Sequence, residues 1–455
     1  MSTEVLGAVS EKAMKLALRR GASEAQAVTY ARVEDLTRFA NSQIHQNVSS
    51  VSSGLRIKVV IKKRIGDVQI SALDSKSVEL AVKDAVKIAK VSPPNEMFQS
   101  LPERKSFTPL KRVFDRRTAE FSPNNRADLA RQAIETAHRK AEIVKAVAGS
   151  CLTGSASFSV VNSLGIDAAA RVSLARLAVT VISEKNHSEG HGYYESCARD
   201  IKEINVDEVT LKATDTSVRC VQPQRLEPGE YETVIAPDAV TLSMYYLGAG
   251  FTATSYEDGT SFVKYNLGRQ VLDQKFNMKD DGRDMSTLFT SPIDGEGVPK
   301  RSVTLVHNGV VDEESICHDS YTAGKNNLES TGHAQTPFSE SFQTGPDLAN
   351  IVLSPGDSST EEMINETKYG LYVSRFHYVR TVNRPQVIIT GLTRDGTFLI
   401  KDGEISHPVY NLRFTDSLLK AYGNITMIGK EQERGMQATV PPLKVSKFRF
   451  TGVVE

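Results

Sequence analysis

The sequence has few cysteines, no excess of either charge and no long apolar run, and each absence excludes a class of protein. Its four cysteines, Cys151, Cys197, Cys220 and Cys317, are far apart and form no Cys-x-x-Cys pair. We therefore expect reduced thiols and a cytoplasmic location rather than a disulfide scaffold or a cysteine-rich zinc site. Lysine plus arginine number 55, as do aspartate plus glutamate, and this zero net charge argues against a dedicated nucleic-acid or anionic-membrane binder. Without a run of about 18 apolar residues or an apolar leader, we expect neither a membrane span nor a secretory signal.

The first 92 residues have the pattern of a helix followed by antiparallel strands. An apolar stripe, with Ser2 or Thr3 as its cap and Gly21 as its stop, predicts the first helix. Apolar residues then alternate with polar ones, which predicts antiparallel strands. We place these strands at residues 25–33, 37–48 and 53–61, and a second helix before Pro93.

The same order of helix and strands recurs further along the chain. Ser122 and Pro123 are suited to the cap and first turn of a new helix, and alternating segments follow it. Beyond these, short strands separated by regular turns indicate a β-rich region. We therefore predict an α+β fold with two helix-plus-antiparallel-sheet units, residues 1–92 and 112–221, followed by a β-rich C-terminal domain, residues 225–455.

Two short motifs contain metal-ligand residue types. In His187-Ser-Glu-Gly-His191 the histidines have the spacing of a zinc helix, but the glycines and the preceding alternation predict a hairpin loop. In Cys317-His318-Asp319, neighbouring residues of a strand point to opposite faces. We therefore expect a buried cysteine beside a surface histidine rather than two ligands of one ion.

The densest polar cluster of the second half contains Asp294, Glu296 and His333. Paired carboxylates and an imidazole could perform acid–base chemistry if they converge in space. The alternative is that aspartate and glycine simply build turns there, as they also do around Asp280 and Asp281.

A series of longer motifs runs through the chain in a defined order. In the second half these are Gly259-Thr-Ser-Phe262, Ile293-Asp-Gly-Glu-Gly-Val-Pro299, Leu305-Val-His-Asn-Gly-Val310, Ser330-Thr-Gly-His333, Thr367-Lys-Tyr-Gly-Leu-Tyr-Val373 and Lys401-Asp-Gly-Glu-Ile-Ser-His-Pro-Val409. In the first half, Val160-Val-Asn-Ser-Leu-Gly165 is a strand followed by a turn. Their order and spacing resemble those of the TldD/PmbA family over almost the whole chain.

The resemblance implies a role in a cytoplasmic zinc metalloprotease system that cleaves peptides or unfolded proteins. In that family the TldD-type subunit carries His-Glu-x-x-x-His and a distant cysteine, while the PmbA/TldE-type subunit lacks them. Counting back from Gly259, these three positions fall on Met244, Tyr245 and Ala249, and residues 429–441 contain no cysteine. A thioether, a phenol and a methyl group cannot replace two imidazoles and a carboxylate base. The chain thus resembles the PmbA/TldE branch, and Met244, Tyr245 and Ala249 would line a pseudo-site; the alternative is that they simply pack the helix.

We therefore predict a non-catalytic partner that binds no metal itself and pairs with a zinc-bearing TldD-like subunit. Two alternatives remain at this point. One is an autonomous hydrolase that uses Asp294, Glu296 and His333. The other is a homodimeric peptide-binding or scaffold protein without a protease partner.

Overall fold

The N-terminal part of the chain is built on one large antiparallel sheet. The structure, a computed structural model, describes residues 1–338 and 343–454. The N-terminal elements are α1 (Thr3–Arg19), β1 (Glu24–Ala40), β2 (Gln43–Ile61), β3 (Arg64–Ile70), α2 (Ser75–Val91), α3 (Arg116–Ala119), α4 (Pro123–Lys140), β4 (Val144–Asn162), β5 (Asp167–Lys185), β6 (Ser188–Ala198) and α5 (Val206–Arg219). Six strands lie in the order β3-β2-β1-β4-β5-β6, and each pairs antiparallel with its neighbour.

The C-terminal part has shorter elements. They are β7 (Gly229–Ile235), α6 (Pro237–Gly248), α7 (Ala253–Glu257), β8 (Arg269–Gln270), β9 (Met278–Asp281), β10 (Ser302–Val306), β11 (Val310–Val311), α8 (Ser320–Lys325), β12 (Ile351–Leu353), α9 (Thr360–Asn365), β13 (Tyr369–Asn383), β14 (Ile388–Lys401), β15 (Glu404–Pro408), β16 (Asn411–Ser417), α10 (Leu418–Tyr422), β17 (Ile425–Ile428), β18 (Glu433–Arg434), β19 (Ala438–Val440) and β20 (Leu443–Val454). The predicted α+β class, with a β-rich C-terminal region, is confirmed.

Capping residues fix the helix starts that the sequence indicates. The Ser2 side chain accepts a hydrogen bond from the Val5 backbone N–H at the start of α1. Ser122 accepts one from Asn125 at 3.1 Å, and Pro123 takes the first helical position of α4. These hydroxyls satisfy N–H groups that have no partner inside the helix, which is why the helices begin there.

Strands from both predicted N-terminal units join the six-stranded sheet. β1 pairs with β2 on one side and with β4 on the other. Apolar residues of α1 and α2 pack with those of β1 and β2, whereas α4 and α5 pack on β4 and β5. The units 1–92 and 112–221 therefore share one layer, and their boundaries stay a prediction.

The first two strands are longer than the sequence pattern suggested. Instead of three strands at residues 25–33, 37–48 and 53–61, two strands, β1 and β2, run through these segments. The chain reverses at Asn41 and Ser42, both in the left-handed backbone region with φ of 51° and 58°. Asparagine tolerates this conformation and gives the tight hairpin turn that matches strand twist, so one continuous ladder forms where we had expected breaks.

The C-terminal part contains a closed ring of strands. β13 pairs with both β7 and β14, so that β13, β7, β20, β16 and β14 form a ring, and β15 and β17 extend it. A second sheet has the order β10-β9-β12-β19-β18. Helix α6 packs against β13 and β19 and therefore lies between the two sheets. Closure satisfies the backbone groups of the ring strands and gives α6 a rigid support.

Buried Arg199 and partly buried Lys58 join the parts of the molecule. The Arg199 guanidinium, from the segment after β6, donates to the carbonyl of Met285 at 2.6 Å and to the Thr290 hydroxyl at 3.1 Å. The Lys58 ammonium lies 3.4 Å from the Glu296 carboxylate. These contacts fix the N-terminal sheet against the C-terminal loops.

No helix of residues 1–338 and 343–454 combines the length and the apolar character that a membrane crossing requires.

Candidate functional site

Helix α6 carries the three positions of the predicted pseudo-site, and they do not share one face. Met244 has no exposed surface and packs in the C-terminal core. Tyr245 is 54% exposed, and Ala249, just beyond the last residue of α6, is exposed as well. Positions four apart lie on nearly the same side of a helix, whereas positions five apart are separated by about 140°. The helix therefore turns Met244 inward and Tyr245 and Ala249 outward.

Tyr245 and Ala249 line a groove on the surface of the C-terminal part, which we call the Tyr245 groove. Its volume is about 320 Å³. The other lining residues come from the end of α6, from the following turns and from the β13–β14 hairpin: Tyr246, Gly250, Ser255, Thr260, Arg380, Thr381, Arg384, Val387 and Ile389. Two arginines of a distant hairpin thus meet the helix that carries the pseudo-site.

The structure places His333 in a buried pair with Asp280, not with Asp294 or Glu296. His333 and Asp280 are both fully buried, and the His333 Nε2 lies 3.1 Å from an Asp280 carboxylate oxygen. The other ring nitrogen lies 3.0 Å from the Thr331 carbonyl oxygen. The Thr331 hydroxyl also lies 2.9 Å from this nitrogen, so both ring nitrogens have hydrogen-bond partners inside the protein.

Asp280 also bonds to a second buried group. Its other carboxylate oxygen accepts from the Asn350 backbone at 2.8 Å, and the Asn350 side chain binds the Lys300 ammonium at 2.8 Å. Although burial opposes ionisation, the hydrogen bond from His333 and the nearby charges lower the pKa of Asp280. The network is sealed from solvent, and its contacts stabilise the fold.

Asp294 and Glu296 have separate partners. One Asp294 oxygen accepts from the backbone of Glu296 and Val298, both at 2.9 Å, and the other accepts from Ala334 at 3.0 Å. Burial and the neighbouring Glu296 carboxylate raise the pKa of Asp294 to about 8. In residues 1–338 and 343–454, neither carboxylate hydrogen-bonds to His333. Asp294 thus holds a turn against the His333 segment, and a catalytic role for the trio stays a prediction.

The sequence reasoning missed a larger cleft between the two parts of the molecule. Its volume is about 590 Å³, and β6, α5, α6, β13 and residues 433–437 line it. The Arg176 guanidinium donates to the Glu195 carboxylate at 3.0 Å and to the Tyr193 hydroxyl at 3.1 Å. The Arg375 guanidinium lies 3.7 Å from the centre of the Tyr193 ring. No sequence signal marks this cleft because its residues come from elements far apart in the chain.

Asp238 is the carboxylate of the cleft with the most perturbed ionisation. It lies in the first turn of α6, and burial, opposed by the charge of Arg375, raises its pKa to about 7. Nearby Glu433 also has a raised pKa because of burial. Perturbed carboxylates in a cleft are frequent at functional sites, although structural networks produce them too.

The two shorter motifs agree with the sequence expectations only in part. Asn186 and His187 form the left-handed turn between β5 and β6, so the predicted hairpin loop is confirmed. Cys317 is fully buried, and burial raises the pKa of its thiol far above the ordinary value. Asp319 caps α8 through the Thr322 backbone. His318 is not on the surface as expected but largely buried, because residues 330 and 331 fold over its backbone.

Comparison with known proteins identifies the family. The sequence model described as the PmbA/TldA metallopeptidase C-terminal domain matches residues 228–452. Among solved structures, TldE from Thermococcus kodakarensis has the same fold, with a TM-score of 0.87 at 20% identity over 98% of this chain and 100% of that one. The chain belongs to the PmbA/TldD family.

Curated relatives of both kinds resemble this PmbA/TldD member. The Metalloprotease PmbA homolog of Haemophilus influenzae is 23% identical over 449 residues, 97% of this chain and 94% of the relative. A Metalloprotease TldD homolog of Buchnera aphidicola is 28% identical over 196 residues, 42% of this chain and 39% of the relative. Their names imply metal use in the family.

The residues of this PmbA/TldD member do not fit a zinc ion at the pseudo-site. At the three predicted positions there are a thioether in an apolar core, a phenol and a methyl group, and none of these supplies a nitrogen ligand or a carboxylate base. Their directions also differ, since Met244 faces the core and the other two face the groove. Within residues 1–338 and 343–454, no group of three or more His, Cys, Asp or Glu side chains could hold a metal ion.

Proposed function

We propose that this chain is the non-catalytic, PmbA/TldE-type subunit of a zinc metalloprotease that acts on peptides or unfolded proteins. One observation carries the proposal: Met244, which we predict at the position of the first zinc histidine, has its side chain in the apolar core. If a metal-ligating histidine at the protein surface were replaced by a smaller side chain, solvent would fill the space that it left. Here the side chain packs with other apolar groups, so the position serves stability instead of metal binding.

The catalytic zinc would belong to a TldD-like partner in a heterodimer. The role of this chain would be to shape a peptide-binding chamber and to stabilise the active subunit. A peptide can bind at the edge of a sheet as an additional strand, because main-chain hydrogen bonds form there whatever the peptide sequence. β3 and β6 are the edge strands of the large sheet. The four cysteines are free thiols, which supports a cytoplasmic location.

The test measures the zinc content and peptidase activity of the isolated chain and identifies the proteins that co-purify with it. Purified alone, the chain should contain no stoichiometric zinc by elemental analysis and should cleave neither a fluorogenic peptide nor unfolded casein. Tagged and recovered from its native host, it should bring with it a chain that carries His-Glu-x-x-x-His and bound zinc. Adding that chain should restore cleavage.

Three outcomes would contradict the proposal. One equivalent of zinc in the isolated chain, lost in the double variant His187→Ala, His191→Ala, would show a metal site of its own. Cleavage by the isolated chain that is lost in Asp294→Asn would favour an autonomous hydrolase. Recovery of a clean homodimer without a protease chain would favour the peptide-binding scaffold.

A further inference from the structure

The Tyr245 groove has a charge pattern that differs from that of the rest of the molecule. Among its lining residues, Arg380 and Arg384 are cationic and none is acidic. The chain as a whole has zero net charge. The larger cleft between the two parts of the molecule, by comparison, is lined by four cationic and four acidic side chains: Arg176, Lys212, Arg375, Arg434, Glu195, Asp215, Asp238 and Glu433. The groove is thus a local positive site on a neutral protein.

The two arginines of the groove differ in their contacts. The Arg380 guanidinium donates to the Val379 carbonyl at 2.8 Å and interacts with the Tyr246 hydroxyl. In residues 1–338 and 343–454, no carboxylate forms an ion pair with Arg380, and the Arg384 guanidinium has neither an ion pair nor a hydrogen bond, although the Arg384 backbone carbonyl accepts from the Val387 N–H at 3.0 Å. Arg394 is also exposed and lies on the same hairpin, but its guanidinium pairs with the Asp395 carboxylate at 3.6 Å. Arg384 therefore keeps all five of its donors available to a ligand.

The remaining walls of the groove suit a peptide. Tyr245 and Tyr246 are arranged edge to face, with ring centres 5.3 Å apart, and Val387 and Ile389 supply an aliphatic wall. Ser255, Thr260 and Thr381 add hydroxyls near the arginines. Pockets of about 300–1,000 Å³ with apolar walls and a few convergent polar groups are typical ligand sites, and the groove of about 320 Å³ is at the lower end of this range. It accommodates one or two residues of an extended chain.

We propose that the Tyr245 groove binds a carboxylate of a peptide, with Arg384 and Arg380 as the anion partners and Tyr245 as the apolar contact. The carboxylate belongs either to an acidic side chain or to the peptide C-terminus, since the guanidinium fork matches both. The proposal names a ligand class for the pseudo-site and in that sense rests on the proposed function. It means that the helix face without metal ligands would select acidic peptides.

Fluorescence anisotropy with the isolated chain tests this directly. The probes are three fluorescein-labelled hexapeptides: Gly-Phe-Glu-Glu-Ala-Gly with an amidated C-terminus, its Gln-Gln counterpart with an amidated C-terminus, and the Gln-Gln peptide with a free C-terminal carboxylate. We expect the Glu-Glu or the free-carboxylate peptide to bind at least tenfold more tightly than the amidated Gln-Gln peptide. Which of the two binds identifies the source of the carboxylate. Binding should weaken as salt increases, because the arginines are exposed.

The variants distinguish the groove from general attraction to positive charge. Arg384→Gln should weaken binding of the acidic peptide about tenfold, which corresponds to 1.4 kcal/mol. Arg394→Gln removes an equal charge from the same hairpin outside the groove and should leave the dissociation constant unchanged. Tyr245→Ala should weaken all three peptides alike.

Either of two results would overturn the proposal: equal affinity for all three peptides, including no binding at all, or the same loss in Arg394→Gln as in Arg384→Gln. Because the measurement needs no protease partner, it can succeed where the proposed function fails, and the reverse also holds. Circular dichroism of each variant checks that the fold is intact.

Discussion

Replacing Arg199 with methionine should separate the two parts of the molecule before either unfolds. Arg199 is 6% exposed, and its guanidinium lies among acceptors of the C-terminal part. It donates to the carbonyls of Met285, Thr287 and Leu288 and to the Thr290 hydroxyl. Methionine fills much of the same volume but donates nothing. The substitution therefore removes the charged donor that these four oxygens share.

The expected loss follows from these bonds. Hydrogen bonds to charged groups contribute about 1.5–3 kcal/mol each. The variant avoids the desolvation cost of burying a guanidinium, which offsets part of this loss. Burial lowers the pKa of Arg199, which indicates that the charge is costly there. We expect a net destabilisation of about 3–5 kcal/mol, roughly the contribution of two such charge-assisted hydrogen bonds. With an unfolding entropy of about 2.1 cal/mol/K per residue, this corresponds to about 3–5 °C in a single cooperative transition.

Differential scanning calorimetry with limited proteolysis measures the effect. The wild type should unfold in one main transition, whereas Arg199→Met should unfold at lower temperature or in two transitions, with earlier cleavage between β6 and α5. Arg131→Met, at a side chain that is 62% exposed in α4, is the matched control and should change the midpoint by less than about 1 °C. An Arg199→Met midpoint within 1 °C of the wild type, with unchanged proteolysis, would refute the reasoning.

Three further substitutions test buried side chains. Asp280→Asn should cost about 3–5 kcal/mol in urea unfolding at pH 7, because it removes the charge that pairs with His333. Since the pKa of Asp280 is lowered in the folded state, its contribution is present above about pH 4 and lost as the pH falls further; stability of the variant should lack that acid dependence. Asp238→Asn should be more stable than the wild type at pH 8 but not at pH 4, because a folded pKa of about 7 makes ionisation unfavourable as the pH rises from about 4 to 7. Met244→His should lose about 1–3 kcal/mol of stability and gain no zinc by elemental analysis, since its side chain is buried among apolar groups.

Local chemistry made the helix boundaries predictable from the sequence. Ser2 and Ser122 cap the helices that were expected to begin there, and Pro123 takes the first turn of α4. These effects act over three or four residues, so they need no tertiary information. Alternation likewise revealed the strands, but not the point at which β1 ends, because Asn41 and Ser42 lie inside a region of uninterrupted strand pattern.

Contacts between distant segments were not predictable in the same way. Asp280 and His333 are 53 residues apart, and the sequence placed His333 with Asp294 and Glu296 only because all three are polar. The alternation in β9, where Met278 and Asp280 are both buried, was the available sign that Asp280 points inward. No sign linked Arg384 with Tyr245, because the β13–β14 hairpin meets α6 only after the strand ring has closed.

The geometry of α6 gives the three positions of the predicted pseudo-site two different surroundings. On a regular helix, positions 245 and 249 face the same side and position 244 faces away from 249. Positions 244 and 249 therefore have different surroundings, one in the core and one at the surface. The inner position gains stability from an apolar side chain, and methionine, which is flexible and polarisable, fills the core there. The outer positions face the β13–β14 hairpin and line the Tyr245 groove, which contains two arginines. We therefore expect that substituting these three side chains alone creates no zinc site, because position 244 faces the core.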